Sequence, residues 1–120
     1  MSGTLDYLQP HERMAVDDCV ARLYRALGDE LVSLWLFGSK ARGDADPDSD
    51  IDLLVVTNAL DWDLRDTIQG IGAKCSLEYD VLFNTHILDR ARWDEEEHYR
   101  STLWREIQRD GVSLLLERAV

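Results

Sequence analysis

Leu31-Val32-Ser33-Leu34-Trp35-Leu36-Phe37 runs into Gly38-Ser39-Lys40-Ala41-Arg42-Gly43, and after six further residues Asp50-Ile51-Asp52 opens a second apolar run that ends at Thr57. Both runs are short, apolar and bounded by Gly, Asp or Asn, which is the pattern of buried strands. Gly38 and Gly43 bracket a short segment between them, and Asp46-Pro47-Asp48 is turn chemistry. Alternate side chains of an extended segment share a face, so Asp50 and Asp52 project together while Ile51, Leu53 and Val55 face the other way. Two ionised carboxylates that close repel each other, and a bound divalent cation removes the penalty. Oxygen ligands of this kind suit Mg²⁺ or Mn²⁺. The Gly38-Ser39 turn offers backbone N–H groups and a hydroxyl to phosphate oxygens. The segment therefore reads as an anion cradle facing a cation site.

Working outward, residues 1–9 read as a loose N-terminal arm, and 10–120 as a single domain. Pro10 starts a helix on which Val16, Val20, Leu23 and Leu27 keep a helical spacing with Cys19 beside them, until Gly28 stops it. Leu64, Ile68, Ile71 and Cys75 mark one face of a second helix over 61–75, weakened near its end by Gly70 and Gly72. Leu77–Phe83 reads as a third strand. A last long helix is expected over 94–108, with Tyr99, Leu103 and Ile107 on one face and the acidic run Asp94–Glu97 at its positive N-terminal end. Gly111 stops it, and Val112–Leu116 forms a short edge strand or a helical turn. The expected class is α/β (α+β): a small mixed β-sheet packed against helices.

The chain has 120 residues, 45% of them apolar, enough for one core and too few for a second full domain. No apolar stretch approaches the roughly 20 residues that span a bilayer, and no basic-then-apolar leader opens the chain. A soluble, cytoplasmic protein with no membrane contact is expected. Cys19 and Cys75 are far apart in sequence and each sits in a helical apolar pattern, which favours free buried thiols. The formal charge of −11 opposes direct attraction to a nucleic-acid backbone and favours docking on a basic protein. Trp35, Trp62, Trp93 and Trp104 are expected to anchor the core or its rim. His11, His86 and His98 lack ligand-like spacing and are expected at the surface.

A tight two-metal site needs a third carboxylate, and the expected third strand offers Asp80, with Glu78 on the same face as the competing choice. Alternating Asp44, Asp46, Asp48, Asp50 and Asp52 invite a calcium-loop reading, which fails on position. Starting at Asp44, the sixth residue is Ser49 where that loop needs Gly, and the twelfth is Val55 where it needs Glu.

Gly38-Ser39-x-Ala41-Arg42-Gly43 followed by Ser49-Asp50-x-Asp52-Leu53 resembles the signature of the polymerase-beta-like nucleotidyltransferases. It is most similar to the minimal, MNT-type members, which include antitoxins paired with HEPN-domain toxins. Asp80, the segment Leu103-Trp104-Arg105-Glu106-Ile107 and Gly111-Val112 extend the likeness over most of residues 30–117. The resemblance implies transfer of AMP from ATP to an acceptor hydroxyl, with release of pyrophosphate. It implies that Gly38, Ser39, Arg42 and Ser49 bind the nucleotide, with Lys40 adding charge beside the phosphates. Asp50, Asp52 and Asp80 would hold Mg²⁺ or Mn²⁺, and Asp80 would help deprotonate the acceptor. Larger relatives carry acceptor-binding domains, whereas here the core nearly exhausts the chain. The partner implied is a HEPN ribonuclease toxin modified on a tyrosine hydroxyl. Occlusion without catalysis, an aminoglycoside-type acceptor with a helical companion chain, and a homo-oligomer stay open.

Overall fold

The computed structural model describes residues 3–115. After a short 3-10 turn at Leu5–Tyr7 come α1 (Pro10–Leu27), β1 (Leu31–Phe37), α2 (Ser39–Arg42), β2 (Ile51–Thr57), α3 (Trp62–Tyr79), β3 (Phe83–Asp89), α4 (Arg90–His98), α5 (Thr102–Asp110) and β4 (Val112–Ser113). The four strands form one mixed sheet in the order β3-β2-β1-β4. β1 runs antiparallel to both β2 and β4, while β2 and β3 are parallel, joined by the crossover helix α3. Among the described residues no helix is long and apolar enough to cross a membrane.

The sheet is covered on both faces, which is why β1 and β2 read as continuous apolar runs. Leu34, Leu36, Ile51, Leu53 and Val55 join Val16, Cys19 and Leu23 of α1 and Ile68 and Cys75 of α3 in the main core. On the opposite face Phe37, Leu54 and Val56 meet Ile107 of α5, with Trp35, Trp93 and Leu103 partly buried around them. Cys19 and Cys75 are free and buried, as expected, and burial raises both thiols well above their ordinary range.

Several expectations are corrected. Leu77–Phe83 is not a strand: α3 continues to Tyr79, and β3 lies six residues later than expected, at Phe83–Asp89. The helix is held to its end from α1, because Tyr79 donates its hydroxyl to Asp18 at 2.7 Å and Arg22 donates to Glu78 at 2.6 Å. Gly72 is no breaker here, since it is buried and lets Thr85 of β3 approach, with Ser76 Oγ donating to its carbonyl. Leu77, apolar but 86% exposed, belongs to the outer face of that helix. Asp80 then stops α3 in the left-handed region (φ 53°), a conformation that Asp tolerates better than most residues.

The long helix expected over 94–108 is two helices. Arg100 takes a positive φ of 46°, and Ser101 starts α5 by accepting the Trp104 N–H at 3.1 Å. Tyr99 caps α4 and is 73% exposed instead of sharing the face of Leu103 and Ile107. Trp62 is 80% exposed at the start of α3 and anchors no core. The segment ahead of α1 is not loose: Thr4 donates its N–H to Ala41 at 3.0 Å, and Leu5 and Leu8 pack on the main core. The edge strand expected in 112–116 is present at Val112–Ser113, and its last position, Leu116, lies outside the described residues.

Lys40 forms a buried ion pair with Glu12 of α1 at 2.6 Å, both side chains 5% exposed. Its charge is thus turned inward, away from the phosphate-facing role expected for it. Glu12 also accepts the Gln9 N–H at 2.8 Å, completing a capping box that starts α1. Breaking such a pair from one side strands a charge in the interior and costs about 3–5 kcal/mol. Lys40→Met should accordingly lower unfolding stability in urea titrations by about that amount, while Arg13→Ala, at the exposed Arg13–Asp17 pair, should change it by less than about 1 kcal/mol.

Candidate active site

The pairing of β1 with β2 sets the site. Phe37 lies opposite Asp52, so the chain leaves β1 directly beside the carboxylate face of β2. Gly38 takes φ +77°, ψ −160°, and a Cβ there would collide with Asp52 Oδ2. Only glycine meets both the backbone and the steric requirement. The turn continues into the single-turn helix α2, ended by Gly43 in the left-handed region. Ser39 begins that turn. Ser49 closes the following loop, its Oγ accepting the Asp46 N–H at 3.0 Å and its own N–H donating to the Asp46 carbonyl at 3.0 Å.

Arg42 is engaged by two carboxylates, Asp44 and Asp110, each at 3.2 Å. Asp110, at the end of α5, is 2% exposed and also receives Arg109 at 2.8 Å. Burial acts to raise its carboxyl, but hydrogen bonds from Arg109 and Arg42 hold it below the usual carboxylate range. Arg42 is therefore fixed beside the turn by a buried anion, with exposed Asp44 as its second partner.

Asp52 shares its face with Leu54 and Val56, the side covered by α5. Its direct neighbour on the parallel strand is Asn84, whose Nδ2 donates to Asp52 Oδ1 at 3.0 Å. His86, two residues along β3, places Nε2 3.4 Å from the same Asn84 nitrogen and packs its ring on Phe37, centroids 5.3 Å apart. Burial raises the Asp52 carboxyl above its ordinary value, against the Asn84 hydrogen bond and the His86 charge; Asp50 and Glu106 push it further up. Burial is the largest cause, and Asp50 adds a smaller like-charge contribution of the kind a bound cation would relieve.

Of the residues expected in the site, Gly38 leads into α2, which carries Ser39 and Arg42, while Ser49 and Asp50 lie on the loop before β2 and Asp52 lies on β2. Asp80 is placed elsewhere: from the C-cap of α3 it lines a hollow with His11, Glu12, Pro47, Asp48 and Ser49. Among the described residues no three His, Cys, Asp or Glu side chains converge as a set able to hold a metal ion. Asn84 and His86 escape a sequence reading because β3 was expected six residues too early. Once the strand is placed, their i, i+2 spacing beside Asp52 marks them.

The Nucleotidyltransferase domain family matches residues 18–102, more than half of the chain. The chain belongs to this family. It is 36% identical over 78 residues to MJ0141 of Methanocaldococcus jannaschii, an inferred protein adenylyltransferase, covering 61% of this chain and 79% of that one. The fold is shared with a toxin–antitoxin structure containing AMP-PNP, at TM-score 0.53 and 23% identity, covering 85% of this chain and 74% of the other. A mutant of the toxin–antitoxin MntA-HpeT gives TM-score 0.52 at 21% identity, over 82% of this chain and 72% of the other. The chain is thus a nucleotidyltransferase of polymerase-beta-like fold.

Two outcomes follow from the geometry. A carboxyl raised above its unfolded value favours the folded state at acid pH and loses that advantage as pH rises through the raised value. Asp52→Asn, which keeps the Oδ1 acceptor, should therefore melt above the wild type at pH 7. The difference should close as pH falls below the ordinary carboxylate range; a lower melting point at pH 7 contradicts the assignment. Gly38→Ala should destabilise by about 1–3 kcal/mol in the same scans, from strained backbone and the collision with Asp52.

Proposed function

We propose that this nucleotidyltransferase transfers AMP from ATP to a tyrosine hydroxyl of a HEPN-domain ribonuclease toxin, and so acts as its antitoxin in a metal-dependent reaction. The observation that carries the reading is the closeness of the Gly38 backbone to the Asp52 carboxylate, which suits phosphate held by the turn beside a cation held by the carboxylate. The names of its relatives, a protein adenylyltransferase and toxin–antitoxin complexes, one with AMP-PNP, support the substrate and the kind of partner. The charge of −11 suits docking on a basic RNA-cleaving protein.

The donor set fits a hard divalent cation. Asp52 is on β2 and Asp50 immediately precedes that strand, near enough for its charge to act on the Asp52 carboxyl, and carboxylate oxygens are the ligands such an ion takes. Such an ion supplies charge neutralisation at the transferring phosphate. Gly38 and Ser39 take the phosphate side with backbone N–H groups and a hydroxyl, and Ser49 shapes the loop leading to Asp50. Arg42 can exchange the exposed Asp44 for a phosphate oxygen while Asp110 keeps it in place. In the transfer, the tyrosine oxygen bonds the α-phosphorus as the bond to the bridging β-phosphate oxygen breaks, and pyrophosphate leaves.

Incubation with the HEPN partner, ATP and Mg²⁺ should add the mass of AMP to a tyrosine-containing peptide of that partner. Asp52→Ala should slow the addition by at least about 100-fold. No added mass with the wild-type chain defeats the reading. Occlusion is the second reading, favoured by the engagement of Arg42 with two carboxylates and by the placement of Asp80 away from the pair. It predicts full rescue from the toxin by the Asp50→Ala, Asp52→Ala double variant.

A further inference from the structure

The sheet position from which a third carboxylate would complete a two-ion site is occupied here by an amide. β2 and β3 are parallel and in register at Asp52 and Asn84, so these side chains stand next to each other on the same face. Two cations in line for a displacement sit about 3.5–4 Å apart, and carboxylates from adjacent strands are the groups able to bridge them. At Asn84 the orientation of the amide is fixed by Asp52, whose Oδ1 accepts from Nδ2 at 3.0 Å, while His86 Nε2 lies 3.4 Å from the same nitrogen. That arrangement turns N–H donors, which do not bind cations, toward the Asp52 carboxylate. Turning the amide to present its oxygen would give up the bond to Asp52.

Other carboxylates do not fill the gap. Asp80 lines a separate hollow at the end of α3, and Glu106 of α5 lies near enough to Asp52 to act on its charge without forming a three-ligand set with Asp50 and Asp52.

We infer that this chain holds a single protein-bound divalent cation, on Asp50 and Asp52, with Asn84 excluding a second one and fixing the Asp52 carboxylate. The inference rests on the nucleotidyl-transfer reading, and it makes this site different from one built on three carboxylates. It also assigns Asn84 as a positioning residue for the Asp52 carboxylate.

Crystals of the full chain grown with AMP-PNP and Mn²⁺, measured at the manganese absorption edge, test it by counting and locating ions. The wild type should show one anomalous peak at Asp50 and Asp52. Asn84→Asp should show a second peak beside position 84, and Asn84→Ala should keep one. Two peaks in the wild type, one of them beside Asn84, overturn the inference while leaving the nucleotidyl-transfer reading intact. A single peak in Asn84→Asp also overturns it. Absence of any peak in the wild type overturns both; if Asn84→Asp does not fold, the wild-type count alone decides.

Discussion

The antiparallel register between β1 and β2 is the constraint on which the rest depends. It places Phe37 across from Asp52, and so obliges the chain leaving β1 to pass directly over a carboxylate. From this follow a glycine at position 38, the steep turn into α2, and the closeness of the turn's backbone to the Asp52 carboxylate. A shift of one residue in that pairing would turn Asp52 into the core of α1 and α3, and turn Leu53 and Val55 toward α5 in its place. The apolar content of the two strands therefore guards the chemistry: the core locks the register, and the register builds the site.

How much of this is legible in the sequence depends on whether a residue's role is local. The bounds of α1, β1 and β2 follow from periodicity and from Gly28, Gly38 and Asn58, and the Gly38 to Asp52 unit can be read because both parts lie on consecutive elements. The C-terminal half is harder. Leu77, Tyr79, Val81 and Phe83 look like alternation, but Tyr79 and Glu78 are committed to Asp18 and Arg22 of α1, sixty residues or so away in the chain, and that tertiary anchoring carries the helix past the apparent strand. One misplaced strand then hides Asn84 and His86 and promotes Asp80. The family assignment survives because it rests on the unit read correctly.

Lys40 and Arg42 show a related limit. Two basic residues beside a phosphate turn look equivalent in sequence, yet the helical turn between Gly38 and Gly43 points them in different directions. Lys40 enters the interior to meet Glu12, and Arg42 reaches outward to Asp44 and Asp110. Charge count near a motif is thus a poor guide to the field at the motif. In this site the unsatisfied negative charge of Asp52 is the stronger electrostatic fact.

The four residues of α2 are gripped by segments from opposite ends of the described chain. Thr4 bonds the Ala41 carbonyl, Tyr7 covers Gly43, and Asp110 holds Arg42. Such long-range closures form late, because their loop entropy must be met before they reward the chain. During synthesis the phosphate turn can exist as a sequence long before it exists as a shape: until residue 110 has emerged, its last restraint is missing. A growing chain that already carries both aspartates therefore lacks an assembled nucleotide site, and competence to bind arrives with the completed fold.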